Sequence, residues 1–237
     1  MAIRLAFPTI IVEKHYLDKE KDKRVGLTHE YFDLCRQEID RMRYVDPQGR
    51  KRSNVGHGWQ SNDGIDTSPI FTRTMREIKR VVANELMPYL GAIPGSAKCI
   101  MHNSWANINY KHGWNAPHLH NGCFYSGVFY IHAEGDEGDI RFLDTHSKVV
   151  GNLPSMPRMR ESVRCSPRTG DLFLFPSGTM HMVEPNITDK ERYSISFNLE
   201  TNDIHSGLGI KDENGSIPEE ENWDFIYEID EDGKVIS

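Results

Sequence analysis

Two helices are predicted in the first third of the chain. After Thr28, apolar residues recur at helical spacing, namely Tyr31, Phe32, Cys35, Ile39 and Met42. Thr28 is a suitable N-cap because its hydroxyl can accept a hydrogen bond from a free backbone N–H. The pattern predicts a helix from Thr28 to about Met42, with its apolar stripe against the core. Ser68 and Pro69 open a second predicted helix, which ends near Leu90.

From Ala97 onward, short runs of β-branched and aromatic residues alternate with breaks at Gly, Pro and Asn. Strands are predicted near residues 98–110, 116–120, 124–133, 139–143, 160–166, 171–175, 181–185 and 192–200. Short strands in this number, without a long helix between them, are typical of an antiparallel jelly roll. We therefore expect a mainly β (α+β) fold, a cupin-like double-stranded β-helix buttressed by the two N-terminal helices.

These patterns predict one domain over residues 1–210 and an extension over residues 211–237. The helical part spans residues 1–96, with a first strand at residues 7–12 and a polar loop at residues 46–67. The jelly-roll core spans residues 97–202. The extension contains ten acidic residues and two lysines, a net charge of −8, whereas the whole chain carries −7. The body is therefore close to neutral, so we do not expect a nucleic-acid partner.

The composition fits a soluble globular protein, with 38% hydrophobic and 27% charged residues among 237. The sequence has no run of about 18 apolar residues that would predict a transmembrane helix. The first residues also lack the apolar run of a signal peptide. We expect a cytoplasmic protein without a membrane partner. The four cysteines form no CxxC pair and are expected to be free thiols.

Three histidines are candidates for a metal site. Two of them stand two residues apart in PHLHN, residues 117–121. Alternate side chains of a strand share one face, so His118 and His120 can reach the same ion. His181 follows an apolar strand and a turn with Pro and Gly in GDLFLFPSGTMH, residues 170–181. Neutral imidazoles suit iron, zinc, copper or nickel, so these residue types predict a metal site and leave the metal open.

A candidate anion site follows His181. In ERYSISFN, residues 191–198, the side chains of Arg192, Ser194 and Ser196 share one face of a predicted strand. An arginine can bind a carboxylate through two parallel hydrogen bonds, and a neighbouring hydroxyl can donate another. The pattern predicts a site for a buried dicarboxylate.

Together these motifs resemble those of the 2-oxoglutarate/Fe(II)-dependent oxygenase superfamily. That pattern is HxD/E, a distal His, and Arg-x-Ser some ten residues later. The sequence is most similar to a compact bacterial and phage subgroup with an HxH motif. The matching segments are HLH at 118–120, SGVFY at 126–130, FP at 175–176, His181 and RYSISFN at 192–198, with FPT at 7–9 and GWQS at 58–61 also similar. The resemblance covers residues 7 to about 200.

The resemblance implies a non-haem Fe(II) dioxygenase that uses 2-oxoglutarate and O₂, by default as a hydroxylase. It implies that His118 and His181 bind iron, and that Arg192 holds the distal carboxylate of 2-oxoglutarate with help from Ser194. A related hydroxylase branch places a tyrosine at the position of Tyr130 on the same carboxylate. No catalytic residue beyond the metal ligands is implied.

His120 departs from the superfamily pattern, which has Asp or Glu at that position. A neutral imidazole there changes the charge of the metal site by one unit. His120 can complete a three-histidine site, or it can stand back and leave a position for water or a halide. Asp136, Asp139 or Asp144 is a further possible donor of a carboxylate from a loop. Two other functions stay open: a three-histidine cupin-type dioxygenase that does not use 2-oxoglutarate, and a non-catalytic metal-binding module.

Asn107, Asn109 and His112 are candidate residues of the substrate pocket. The two asparagines share a strand face that leads towards the predicted metal site, and His112 is close to that site in sequence. We expect a small-molecule or peptide substrate that the sequence does not identify. The sequence also leaves the oligomeric state open, and a homodimer is compatible with it.

Overall fold

Two antiparallel sheets form the body of the chain in the computed structural model, which describes residues 9–17, 26–91, 97–145, 162–203, 228–229 and 235–236. The strands are β1 (Val12–His15), β2 (Asn54–Val55), β3 (Gly58–Gln60), β4 (Ala97–Asn109), β5 (Trp114–His118), β6 (Tyr125–His132), β7 (Ile140–Leu143), β8 (Ser162–Cys165), β9 (Asp171–Pro176), β10 (His181–Val183), β11 (Arg192–Asp203), β12 (Glu228–Ile229) and β13 (Val235–Ile236). The helices are α1 (His29–Val45), α2 (Thr72–Val81) and α3 (Met87–Tyr89).

The strand order is that of a jelly roll. The large sheet has the order β1-β9-β6-β11-β4-β3, and the small sheet has the order β2-β5-β10-β7-β8. Most neighbours in each sheet are distant in sequence, so the chain crosses repeatedly from one sheet to the other. The predicted mainly β, double-stranded β-helix fold is confirmed, and each of the eight predicted strands from 98 to 200 overlaps an observed strand.

The first helix forms as predicted, whereas the second opens with a 3-10 turn at Pro69–Phe71 and becomes α-helical only at Thr72. Thr28 caps α1, and its Oγ1 accepts a hydrogen bond from the Tyr31 N–H at 3.3 Å. The second predicted helix is interrupted between α2 and α3 by a π-helical turn at Val82–Leu86. Pro88 in α3 has no N–H to donate, and its ring crowds the carbonyl four residues earlier. A locally widened turn accommodates a proline at that place.

Strand alternation on β6 separates the two layers of the core. Phe129 points outward to the helices, where its ring stacks on Tyr16 at 5.5 Å and lies 5.9 Å from Phe32. Its neighbours Val128 and Tyr130 point inward and line a cavity between the sheets. The outer layer therefore stabilises the large sheet against the helices, and the inner layer is left to shape a site.

Two predictions in the N-terminal part need correction. The first strand is β1 at Val12–His15, not residues 7–12, and residues 7 and 8 lie outside the described part. The polar segment 46–67 is not a simple loop, because it contains β2 and β3 at the edges of the two sheets. Strands of two or three residues are too short to show an alternating pattern, so the sequence did not indicate them.

The acidic extension lies mostly outside the described residues. The structure describes only β12 and β13, which pair with each other in the register Glu228 to Ile236. The boundary at residue 210 stays a prediction. No helix within the described ranges is long and apolar enough to cross a membrane.

Candidate metal centre

Strand pairing in the small sheet brings the three histidines together. His118 ends β5 and lies opposite His181, the first residue of β10. His120 follows two residues after β5, and its backbone N–H donates to the Ser177 carbonyl at 2.9 Å. One ligand nitrogen from each imidazole can be chosen so that all three lie within 4.8 Å of one another. This cluster matches the predicted set of residues, and it could hold one metal ion.

Two of the imidazoles are oriented by backbone carbonyls two residues earlier in the chain. His118 Nδ1 lies 2.7 Å from the Ala116 carbonyl, and His181 Nδ1 lies 2.9 Å from the Thr179 carbonyl. Because a carbonyl can only accept a hydrogen bond, the hydrogen of each ring is on Nδ1. The lone pair of each Nε2 is therefore available to a metal. Within the described part of the chain, the His120 imidazole has no such hydrogen bond.

Burial keeps the three imidazoles neutral. Loss of hydration lowers the pKa of His118, lowers the pKa of His120 to about 4 and lowers the pKa of His181 to about 3. Metal ions compete with protons for the same nitrogen lone pairs. A neutral, buried cluster at pH 7 therefore meets the first requirement of a metal site.

A cavity that opens to solvent joins this cluster to Arg192. Its volume is about 500 Å³ when the open space at its entrance is included. The described residues around it are Ser53, Trp105, Asn107, Asn109, Asn115, His118, His120, Gly127, Val128, Tyr130, Ile140, Phe175, His181, Val183, Arg192, Ser194 and Ser196. None of these residues carries a carboxylate.

The carboxylates considered as replacements for His120 are engaged elsewhere. Asp139 accepts from Ser166 Oγ at 2.7 Å and pairs with Arg164. Asp136 lies 3.5 Å from the Lys190 ammonium. The histidine cluster includes no carboxylate from the described residues, Asp144 among them. The three-histidine arrangement is thus the one that this geometry favours.

Arg192 is a buried cation with one edge free of hydrogen bonds. It is 1% exposed, and its Nη1 donates to the carbonyls of Glu137 at 2.9 Å and Gly138 at 2.7 Å. Its Nε is buried without a partner. Burial lowers the pKa of Arg192, but a guanidinium stays charged in proteins. A buried N–H without an acceptor is costly, so this edge fits the carboxylate of a ligand.

Tyr130 and Ser194 lie beside Arg192 on the cavity side of the large sheet. Ser194 is opposite Tyr130 on β6 and opposite Asn107 on β4. Burial raises the pKa of Tyr130 to about 12, so the phenol keeps its proton. Both hydroxyl groups are thus possible donors to the same anion as Arg192.

Of the predicted pocket residues, the structure brings two into the cavity. Asn107 donates to Ser196 Oγ at 3.0 Å, and Asn109 donates to Asn115 Oδ1 at 3.2 Å. His112 is exposed on a turn with φ 68° and does not line the cavity.

Sequence reasoning missed Asn115 and Ser53 as cavity residues. Asn115 lies next to Val183 in the small sheet and hydrogen-bonds to Ser53 at 3.3 Å. Their inward position depends on the pairing of β5 with β2 and β10, for which no local sequence pattern exists. Trp105 lines the same cavity, and its ring lies 5.9 Å from that of His120.

Residues 103–198 match a family model described as "Putative 2OG-Fe(II) oxygenase". This segment contains the histidine cluster, Tyr130, Arg192 and Ser194. A comparison with curated proteins found no match.

Solved structures share the fold at low sequence identity. A prolyl-4-hydroxylase from Pseudomonas putida is 13% identical, with a TM-score of 0.52 over 80% of this chain and 91% of that one. HygX from Streptomyces hygroscopicus, solved with nickel, 2-oxoglutarate and hygromycin B, is 12% identical, with a TM-score of 0.51 over 81% and 83%. The viral collagen prolyl hydroxylase vCPH from Paramecium Bursaria Chlorella virus-1, in a 2-oxoglutarate complex, is 11% identical, with a TM-score of 0.50 over 80% and 94%.

The structural matches establish the fold, and the family match covers the segment that carries the site. Residues 103–198, the segment that contains the histidine cluster and Arg192, are therefore similar to the 2-oxoglutarate/Fe(II)-dependent oxygenases.

Proposed function

We propose that this protein is a 2-oxoglutarate-dependent oxygenase, by default a hydroxylase, that holds Fe(II) with His118, His120 and His181 and holds 2-oxoglutarate with Arg192. The observation that carries this proposal is the pairing of two unsatisfied groups in one cavity. Neutral imidazole nitrogens meet at one place, and a buried guanidinium edge without an acceptor lies at another. A metal chelated by a dicarboxylate would satisfy both.

The protein's own residues would position the co-substrate. The free edge of Arg192 would bind its distal carboxylate, and Ser194 and Tyr130 would donate further hydrogen bonds to it. Fe(II) with three protein ligands keeps open positions for a chelating co-substrate and for O₂. Phe175 and Ile140 line the same cavity with apolar surface, which excludes water from the reacting groups.

The remaining cavity wall favours an uncharged polar group on the substrate. It carries Trp105, Asn107, Asn109, Asn115 and Ser53, all without charge. Two of the similar structures are prolyl hydroxylases, and a third was solved with hygromycin B. We propose a small-molecule or peptide substrate, hydroxylated at a C–H bond. A cytoplasmic location and a homodimer remain predictions.

The test is turnover of 2-oxoglutarate by the Fe(II)-loaded protein in air, with a panel of peptides and small metabolites. We expect succinate formation that requires both Fe(II) and 2-oxoglutarate, with a product heavier by one oxygen atom. The matched variants are Arg192→Ala, expected to be inactive, and Arg41→Ala, an exposed arginine expected to be fully active.

Two results would contradict the proposal. Oxygen consumption that does not depend on 2-oxoglutarate would favour a three-histidine dioxygenase of cupin type. Tight metal binding without 2-oxoglutarate binding or oxygen consumption would favour a non-catalytic metal-binding module.

A further inference from the structure

Glu137 is a buried carboxylate that the proposed chemistry does not use. It is 1% exposed, and it lies on the turn between β6 and β7. Its two oxygens accept from the Glu134 N–H at 3.0 and 3.1 Å, and one also accepts from the Gly135 N–H at 3.1 Å. No ion pair among the described residues includes it, whereas its exposed neighbours Glu134 and Asp136 both pair with Lys190.

The same turn holds Arg192. Backbone carbonyls of Glu137 and Gly138 accept both hydrogen bonds from Arg192 Nη1. The side-chain carboxylate of Glu137 thus accepts hydrogen bonds from the start of the turn. The backbone carbonyls of Glu137 and Gly138 accept hydrogen bonds from Arg192. One residue links the turn's internal hydrogen bonds to the guanidinium.

The backbone of this turn has little freedom to rearrange. Gly135 and Gly138 have φ values of 100° and 97°, which side chains other than glycine rarely adopt. A Cβ on Gly138 would lie 2.4 Å from the Glu184 carbonyl oxygen. The turn therefore packs closely against the segment that follows β10, while the carbonyls of Glu137 and Gly138 both accept from Arg192.

We propose that Glu137 is a positioning residue for 2-oxoglutarate binding. It holds the 134–138 turn so that Nη1 of Arg192 is occupied and the Nε edge faces the cavity. The inference rests on the proposed function, in which that edge binds the distal carboxylate.

A purely electrostatic role for Glu137 predicts the opposite sign. If the residue served only as a negative charge near Arg192, its removal would make the site more positive and would strengthen binding of a dianion. If the residue positions Arg192, loosening the turn weakens binding. Variants that separate charge from geometry can therefore decide between the two.

The experiment measures the dissociation constant of 2-oxoglutarate by anaerobic calorimetry on the Fe(II)-loaded protein. We expect Glu137→Ala to weaken binding about tenfold, the lower end of the effect of residues that orient a site's contacting groups. Glu137→Gln keeps an acceptor oxygen in place and removes the charge, so binding should stay near the wild-type value or tighten. Glu134→Ala, on the same turn and exposed, is the matched control and should change binding less than twofold.

Iron affinity, measured in the same preparations, should be unchanged in all variants, because no hydrogen bond among the described residues joins the 134–138 turn to the three histidines. If Glu137→Ala fails to fold, Glu137→Asp replaces it, since it retracts the carboxylate while keeping its charge, and it should also weaken binding. Equal tightening in the Ala and Gln variants would assign a counter-ion role and overturn the proposal. Loss of thermal stability without a change in the dissociation constant of 2-oxoglutarate would show that Glu137 has only a structural role. That result would also overturn the proposal. Unchanged binding in Arg192→Ala would instead contradict the proposed function.

Discussion

The two ends of the cavity are built in different ways. At the metal end, His118 and His181 are oriented by carbonyls two residues earlier in the chain. At the co-substrate end, Arg192 is oriented by carbonyls more than 50 residues earlier, on another turn. Short-range hydrogen bonds orient the side chains at the metal end, and tertiary hydrogen bonds orient the side chain at the co-substrate end. The first should therefore respond to its own residues alone, and the second should also respond to distant ones.

Removal of a locally oriented histidine should have the largest effect. His181→Ala removes one of three ligands, and we expect Fe(II) affinity to fall more than about 100-fold, beyond the loss that follows when only a ligand's supporting contact is removed. Competition with a chelator under anaerobic conditions measures this. His112→Ala, an exposed histidine outside the cavity, is the control and should bind iron normally.

A second comparison concerns His120, because its imidazole lacks the backbone hydrogen bond that orients the imidazoles of His118 and His181. We expect His120→Ala to lose less iron affinity than His118→Ala. Equal losses in the two variants would show that the backbone hydrogen bonds do not rank the three ligands.

Arg192→Met should separate the two ends. The variant keeps an extended side chain and removes the buried charge, so 2-oxoglutarate affinity should fall about 100-fold, as when one partner of a buried charge pair is truncated. Iron affinity should stay unchanged. The thermal stability of the ligand-free protein should stay equal or rise, because burial of an uncompensated cation is unfavourable. Calorimetry and a thermal melt check both, and a large fall in stability would contradict this account of the arginine.

The histidines at the metal end should also dominate the pH dependence of the free energy of unfolding of the metal-free protein. The folded-state pKa of His120 and His181 is lowered to about 4 and about 3, so below pH 6.5 the unfolded chain binds more protons than the folded one. The free energy of unfolding is therefore highest above pH 6.5 and decreases as the pH falls below that value. Urea unfolding should show a loss of roughly 1–2 kcal/mol per histidine between pH 6.5 and pH 5. His181→Phe should reduce this dependence, and an unchanged slope would assign it to other groups.

The smallest effect is expected at Tyr130. Tyr130→Phe removes one hydroxyl from the co-substrate end, and a single hydrogen bond contributes about 0.5–1.5 kcal/mol. We expect 2-oxoglutarate to bind roughly threefold to tenfold more weakly, with iron affinity unchanged. An anaerobic titration of the variant beside the wild type measures the difference, and tighter binding would remove Tyr130 from the site.

The same contrast explains how much was predictable from the sequence. The spacing of His118 and His120 on a strand, and the Pro-Gly turn before His181, are local patterns, and the histidines do come together. The face shared by Arg192 and Ser194 is also local, and both line the cavity. Glu137 and Asn115 could not be found in this way, because their importance depends on which distant strand or turn lies beside them.

Fold prediction had the same limit. Eight strands from 98 to 200 were predictable because alternation extends over several residues. The short edge strands β2 and β3 were missed, and His112 was predicted at the site because it is near in sequence, although it is exposed on a turn and does not line the cavity.

The most direct test of the central claim is an anaerobic titration of the Fe(II)-loaded protein with 2-oxoglutarate, followed by visible absorption. If iron and co-substrate meet in this cavity, a saturable metal-to-ligand charge-transfer band should appear, and it should be lost in both His181→Ala and Arg192→Met. Iron that stays bound without any such band would contradict the account. The histidines would then bind a metal, but 2-oxoglutarate would not chelate that metal with its distal carboxylate on Arg192.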